Sequence, residues 1–106
     1  PWNDTETICN TEYSLQTLAR LAGSNTKYVS AAISSTAYDS FKSMLNEYRT
    51  REACRRLAEE KYQAYTIQAV AETVGYVSVN NFIIQFKKYT GMTPSAYRKN
   101  SMEARS

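Results

Sequence analysis

The sequence predicts an all-α fold in which two helix-turn-helix units are joined by a long connector helix, and three observations carry that prediction. Apolar residues recur at three- and four-residue spacing between residues that cap and stop helices. The pattern of the first unit returns in the second. Between the two lies a run without glycine or proline in which arginines alternate with glutamates.

Taken in order, residues 1–13 are mixed polar, with Trp2, Ile8 and Tyr13 as anchors and no initiator Met, and this segment reads as the cut edge of a longer protein. Ser14 is placed to cap a helix that carries Leu15, Leu18, Ala19 and Ala22, and Gly23 stops it. Asn25 caps the next helix, which reaches about residue 36, with Val29, Ala32 and Ile33 on one face and Lys27 and Ala31 opposite. Ser40 caps the connector, which is expected to run to about Lys61, with Phe41, Leu45, Tyr48, Ala53 and Leu57 available to pack on both units. Its Arg49, Arg51, Arg55 and Arg56, interleaved with Glu47, Glu52, Glu59 and Glu60, read as a mostly solvated face from which one or two arginines brace the repeats or reach a phosphate. Thr66 opens the second unit, Ile67, Val70, Ala71 and Val74 form its first apolar face, and Gly75 breaks it. Ser78 caps a second helix, residues 78–90, whose Phe82, Phe86 and Tyr89 share a face. Gly91 stops that helix, Thr93 and Pro94 start a last one through about Lys99, and residues 100–106 form a frayed tail.

The internal repeat supports the two-unit reading on separate grounds. Ser14, Leu15, Leu18, Ala19 and Gly23 match Thr66, Ile67, Val70, Ala71 and Gly75 at one offset of 52, and after the turn Asn25, Val29 and Ile33 match Ser78, Phe82 and Phe86 at 53. The alanines suit a close helix crossing, and the glycines suit a turn that needs positive φ.

Composition is ordinary for a globular chain, 106 residues, 42% hydrophobic and 22% charged, and fits one compact unit or two small subdomains. No apolar run is long enough to span a membrane and residues 1–13 show neither a basic n-region nor an apolar h-region, so a cytoplasmic protein without membrane contact by this segment is expected. Cys9 and Cys54 fit no metal or redox spacing and read as reduced structural thiols. The net charge is +3, unevenly spread. Residues 13–38 and 73–102 hold bases and no acid, and these acid-free segments contain the second helix of each unit, as a polyanionic partner requires. Lysines kept for solubility are the plain alternative. There is no histidine, no carboxylate pair on an apolar cleft and no glycine-rich phosphate loop, so neither an enzyme nor a cofactor or metal site is expected.

The second unit has the design of a helix that enters a DNA groove, a short helix held across a glycine turn with Asn80, Ile84, Lys87 and Lys88 pointing away from its core. A side-chain amide matches the N6 and N7 pattern of adenine, which suits Asn80 and Asn81, and exposed Ile84 suits a thymine methyl or a protein partner. Lys27, Lys87, Lys88 and Arg98 suit phosphates. Tyr28 and Tyr76 are read as packing on the turns they flank, with phosphate contact as the alternative.

The segment Ile67-Gln68-Ala69-Val70-Ala71-Glu72-Thr73-Val74-Gly75-Tyr76, followed by Phe82, Phe86-Lys87-Lys88-Tyr89-Thr90-Gly91 and Thr93-Pro94-Ser95-Ala96-Tyr97-Arg98, resembles the DNA-binding domain of AraC-type transcription factors. The resemblance covers residues 14–99, and Arg49, Ala53 and Leu57 sit at that family's connector spacing. It implies about seven helices in two homeodomain-like subdomains, each placing a recognition helix in successive major grooves of double-stranded DNA. It also implies a bacterial regulator, a sensing or dimerisation domain upstream and RNA polymerase as a further partner. Carried over by position, the groove-facing residues are Lys27, Ser30, Ala31 and Ser34 in the first unit, and Val79, Asn80, Asn81, Ile83 and Ile84 in the second. Val79 and Ile83 fall near the core edge. Three departures stand out: Tyr38 where a glycine ends the first recognition helix, Thr50 where the connector carries an aliphatic residue, and Ala31 where a long polar side chain is usual. With Ala31, Lys27 is the one strong donor on the first recognition helix, and weak base reading there is expected. The other class of function open to this sequence is a helical protein-interaction adaptor that keeps the fold with little DNA reading, suggested by Ala31, Ile83 and Ile84.

Overall fold

Six side-chain caps and three left-handed glycines divide the chain where its sequence suggests. The computed structural model describes residues 3–34 and 40–105. Among them are seven α-helices: α1 Thr5–Ile8, α2 Leu15–Leu21, α3 Thr26–Ser34, α4 Phe41–Leu57, α5 Ile67–Thr73, α6 Val79–Thr90 and α7 Pro94–Arg105, with a 3-10 turn at Glu60–Tyr62 and no strand. Ser14, Ser40, Thr66 and Ser78 each accept a backbone N–H three residues on, as do Asn25 from Tyr28 at 3.0 Å and Thr93 from Ala96 at 3.2 Å. Each satisfies a donor that the first helical turn leaves open.

The repeat is visible in the turns. Gly23 lies at φ 66° and Gly75 at φ 102°. In both, the N–H after the glycine bonds back five residues, Ser24 to Ala19 and Tyr76 to Ala71, while the glycine N–H donates to Arg20 or Glu72. This pair of hydrogen bonds closes both helices in the same way. Gly91, at φ 80°, ends α6 with a bond from its N–H to the Lys87 carbonyl at 2.8 Å.

Two apolar cores result. Ile8, Tyr13, Leu18, Ile33, Met44 and Leu45 form the first, with Leu15, Val29, Phe41 and Tyr48 at its edge. Ala53, Leu57, Val70, Ala71, Val74, Tyr76, Phe82 and Phe86 form the second. The N-terminal half of α4 thus serves one unit and its C-terminal half the other. The molecule is elongated, 48 by 23 by 22 Å, and α7 packs on α4 and α6.

Several expectations are corrected. α4 stops at Leu57 rather than near Lys61, because the Gln63 amide donates to the carbonyls of Leu57 and Glu59 and captures acceptors that a longer helix would use. α7 continues to Arg105, past the expected end at Lys99, since no glycine or proline interrupts residues 95–105. The segment before Ser14 is part of the fold, with Ile8 and Tyr13 buried in the first core. Ala32 and Tyr28 are exposed rather than packed, Tyr28 at 68%. Trp2 and Tyr38 lie outside the described residues.

Tyr76 is 3% exposed and its hydroxyl donates to Asn46 Oδ1 at 2.7 Å. Burial pushes its pKa up to about 12 against the pull of Arg49. An unfolded tyrosine ionises near about 10, so the folded value is the higher one. Its contribution is fully present below pH of about 10 and lost as pH rises through about 12. Stability is therefore expected to fall over that window, and Tyr76→Phe to fall less steeply. Denaturant midpoints at high pH for both proteins check this.

Candidate nucleic-acid interface

Each unit presents its second helix outward because the other face of that helix is anchored. In α6, Phe82 and Phe86 are fully buried and pack against one another at a tilt, ring centroids 5.6 Å apart, with Tyr76 on one side and Tyr97 on the other. Helical geometry then turns Asn80, Asn81, Ile84, Lys87 and Lys88 to solvent, with Ile84 63% exposed. Val79 and Ile83 are half-buried and pack against the second core, at the margin of this face. In α3, Ile33 is buried and Val29 packs beside it, leaving Lys27, Ser30, Ala31 and Ser34 exposed.

The electrostatics separate these lysines from the arginines of α4. Arg51 pairs with Glu47, Arg55 with Glu52 and Glu59, and Arg56 with Glu52. Burial works against the Glu52 carboxylate, but hydrogen bonds from Arg55 and Arg56 hold its pKa below the usual range. Among the described residues, no ion pair involves Lys27, Lys87 or Lys88. These three keep their charge for an external anion, although Lys88 Nζ also lies 5.5 Å from the Tyr89 ring. Arg98 is half-buried and spends one donor on the Tyr65 carbonyl.

Arg49 and Arg56 are the braces among the connector arginines. Arg49 is 7% exposed and donates to the carbonyls of Ile8 and Asn10 at 2.8 and 2.7 Å. Arg56 reaches the Thr73 carbonyl at 2.8 Å. The site also contains one residue that sequence reasoning passed over: Gln85 donates to Asn81 Oδ1 at 3.4 Å. Its four-residue distance from Asn81 was the available signal. This bond occupies one acceptor site of the Asn81 amide oxygen.

Cys9 and Cys54 are free and half-buried, and burial raises both thiol pKa values, which disfavours the reactive thiolate. No helix is long and apolar enough to cross a membrane among the described residues.

Comparison with known proteins places this arrangement. A family model described as a helix-turn-helix domain matches residues 18–100. The chain is 33% identical over 88 residues to the HTH-type transcriptional regulator YtdP of Bacillus subtilis (strain 168), covering 83% of this chain and 11% of that protein. It is 34% identical over 64 residues to the HTH-type transcriptional regulator GadX of Escherichia coli (strain K12), 60% of this chain and 22% of that one. The chain thus spans only a small part of the curated relatives it matches. Among solved structures, a DNA-binding transcriptional dual regulator from Escherichia coli K-12 superimposes with a TM-score of 0.81 at 26% identity, covering 96% of this chain and 86% of that one. The C-terminal domain of the two-component response regulator yesN from Fusobacterium nucleatum gives 0.75 at 28%, covering 88% and 87%. With two matched turns, two outward helices and this agreement over most of its length, the chain belongs to the AraC-type helix-turn-helix family, as a DNA-binding domain of transcription regulators.

Proposed function

We propose that this domain reads double-stranded DNA by sequence, with α3 and α6 in successive major grooves on one face of the duplex, as the output part of a cytoplasmic regulator. The observation that carries the reading is the outward face of α6, where two amides and an aliphatic side chain lie beside two lysines that no carboxylate neutralises. The length of the molecule, 48 Å, suits it too, because major-groove faces one turn apart are separated by roughly 34 Å. A sensing or dimerisation domain and RNA polymerase are the further partners of the intact protein under this proposal.

The chemistry favours A·T pairs under α6. Asn80 and Asn81 match the adenine edge and Ile84 a thymine methyl, whereas this face offers no arginine for guanine. In the first unit Ser30, Ala31 and Ser34 offer short contacts, and Lys27 is left to meet guanine or a phosphate. Lys87, Lys88 and the remaining donors of Arg98 hold the backbone.

Selection from a random duplex library is expected to enrich a two-part site with A·T pairs in one half. Asn80→Ala should relax one position of that half, costing about 1–3 kcal/mol of discrimination there. A folded protein that enriches no motif would overturn the proposal. It would favour a protein-interaction adaptor instead, for which exposed Ile84 and Val77, the latter 86% exposed, are the supporting observation.

A further inference from the structure

The two units do not share an apolar core. Their clusters are separate, and a cleft of about 470 Å³ opens between them, bordered by Tyr13, Ser14 and Leu15 on one side and Val77, Ser78 and Asn81 on the other. Where the cores part, at the midpoint of α4, the buried side chains are polar: Asn46, Arg49 and Thr50. A buried guanidinium is costly unless its donors are matched. Here Nε donates to the Ile8 carbonyl and Nη2 to the Asn10 carbonyl, while Cζ lies 5.5 Å from the centroid of the Tyr76 ring. Asn46 completes the cluster by accepting the Tyr76 hydroxyl.

These partners belong to different parts of the molecule. Ile8 sits in the first core, its neighbour Cys9 packs against the second, and Tyr76 follows the turn of the second unit. That turn approaches closely because residue 75 is glycine. A Cβ there would lie 2.8 Å from Arg49 Nε, whereas one on the matching Gly23 would meet nothing within 4 Å. The close approach is therefore a property of the second turn alone, beyond what turn geometry requires.

We propose that Arg49, Asn46 and Tyr76 lock the rotational phase between the two helix-turn-helix units, so that α3 and α6 meet DNA at one fixed spacing. The DNA consequence rests on the two-groove reading above. Two readers on one chain reinforce each other only when both can engage at once, and each base pair turns the groove by roughly 34°. Slack of roughly 30° between the units is therefore enough to let the second helix reach a neighbouring register. The three side chains act as positioning residues, since none of them faces the DNA.

Two variants test this. Tyr76→Phe removes the hydroxyl and keeps the ring, and Arg49→Met keeps much of the stem and removes the donors. Each is titrated against the selected site, the same site with one or two base pairs inserted between its halves, and the α6 half-site alone. On the spaced sites the wild type is expected to lose the avidity gain of two-helix engagement, roughly 100-fold or more. The variants are expected to bind the intact site more weakly, to bind the half-site as the wild type does, and to show a flattened spacing profile. Folded Tyr76→Phe with the wild-type profile overturns the lock, as does an equal loss on full site and half-site. Residual dipolar couplings of the free protein give a reading without DNA: one alignment tensor should fit both units in the wild type and fail to fit both in the variants. One shared tensor in both variants overturns the lock. A rigid wild type with no spacing preference refutes the two-groove reading and the DNA consequence together.

Discussion

Phe82→Ala is expected to lower the unfolding free energy by about 3–5 kcal/mol, a large share of the roughly 5–15 kcal/mol that holds a domain of this size. Phe82 is fully buried and packs at a tilt against both Tyr76 and Phe86. Its removal leaves a cavity lined by groups that are themselves anchored, Tyr76 through Asn46 and Phe86 against Tyr97. Collapse is restricted, so the cost lies toward the upper end of the range. The repeat supplies an internal control. Val29 occupies the matching place in the first unit but is only half-buried, so Val29→Ala is expected to cost roughly 1 kcal/mol. Chemical denaturation of both variants measures the difference. Equal costs would mean that the two units depend on their recognition helices alike, contrary to the burial seen here.

Replacing Lys87 and Lys88 together by alanine is expected to weaken binding to the selected site by roughly 30-fold at an ionic strength of about 0.15 M. The estimate follows from counterion release. Each phosphate contact contributes about −0.9 to the slope of log Kobs against log salt, so losing two makes the slope shallower by roughly 2. Both lysines also lie in the last turn of α6, where a cation favours the helix dipole by about 0.3–1 kcal/mol. That contribution acts on stability and leaves the salt slope of DNA binding unchanged, so the slope isolates the phosphate role. Arg51→Ala is the control. Arg51 already pairs with Glu47, and its loss is expected to leave the slope as it was. A double lysine variant with the wild-type slope would remove phosphate contact from the role of these residues.

Much of the fold was legible along the chain because its boundaries rest on local chemistry. Ser14, Thr66, Ser78 and Thr93 cap the helices they were expected to cap, and Gly23, Gly75 and Gly91 take the positive φ that stops a helix. Exposure of Asn80, Ile84, Lys87 and Lys88 followed from the spacing of Phe82 and Phe86, which sets which way the rest of α6 must point. Two departures at α4 share one cause. The end of α4 at Leu57 depends on an amide six residues on, at Gln63, and the burial of Arg49 depends on carbonyls near residue 9. Neither leaves a trace in periodicity.

Side chains acting within about one helical turn of themselves thus determine where these capped helices begin, where the glycine-ended ones stop and which face of α6 turns inward. Contacts between residues far apart in sequence determine the rest. A run of alternating arginines and glutamates looks alike to any local reading, yet in the folded chain Arg51 and Arg55 remain at the surface while Arg49 is buried between the two units. That choice is made by the carbonyls of Ile8 and Asn10 and by the missing side chain at Gly75, which meet only once both units have packed on α4.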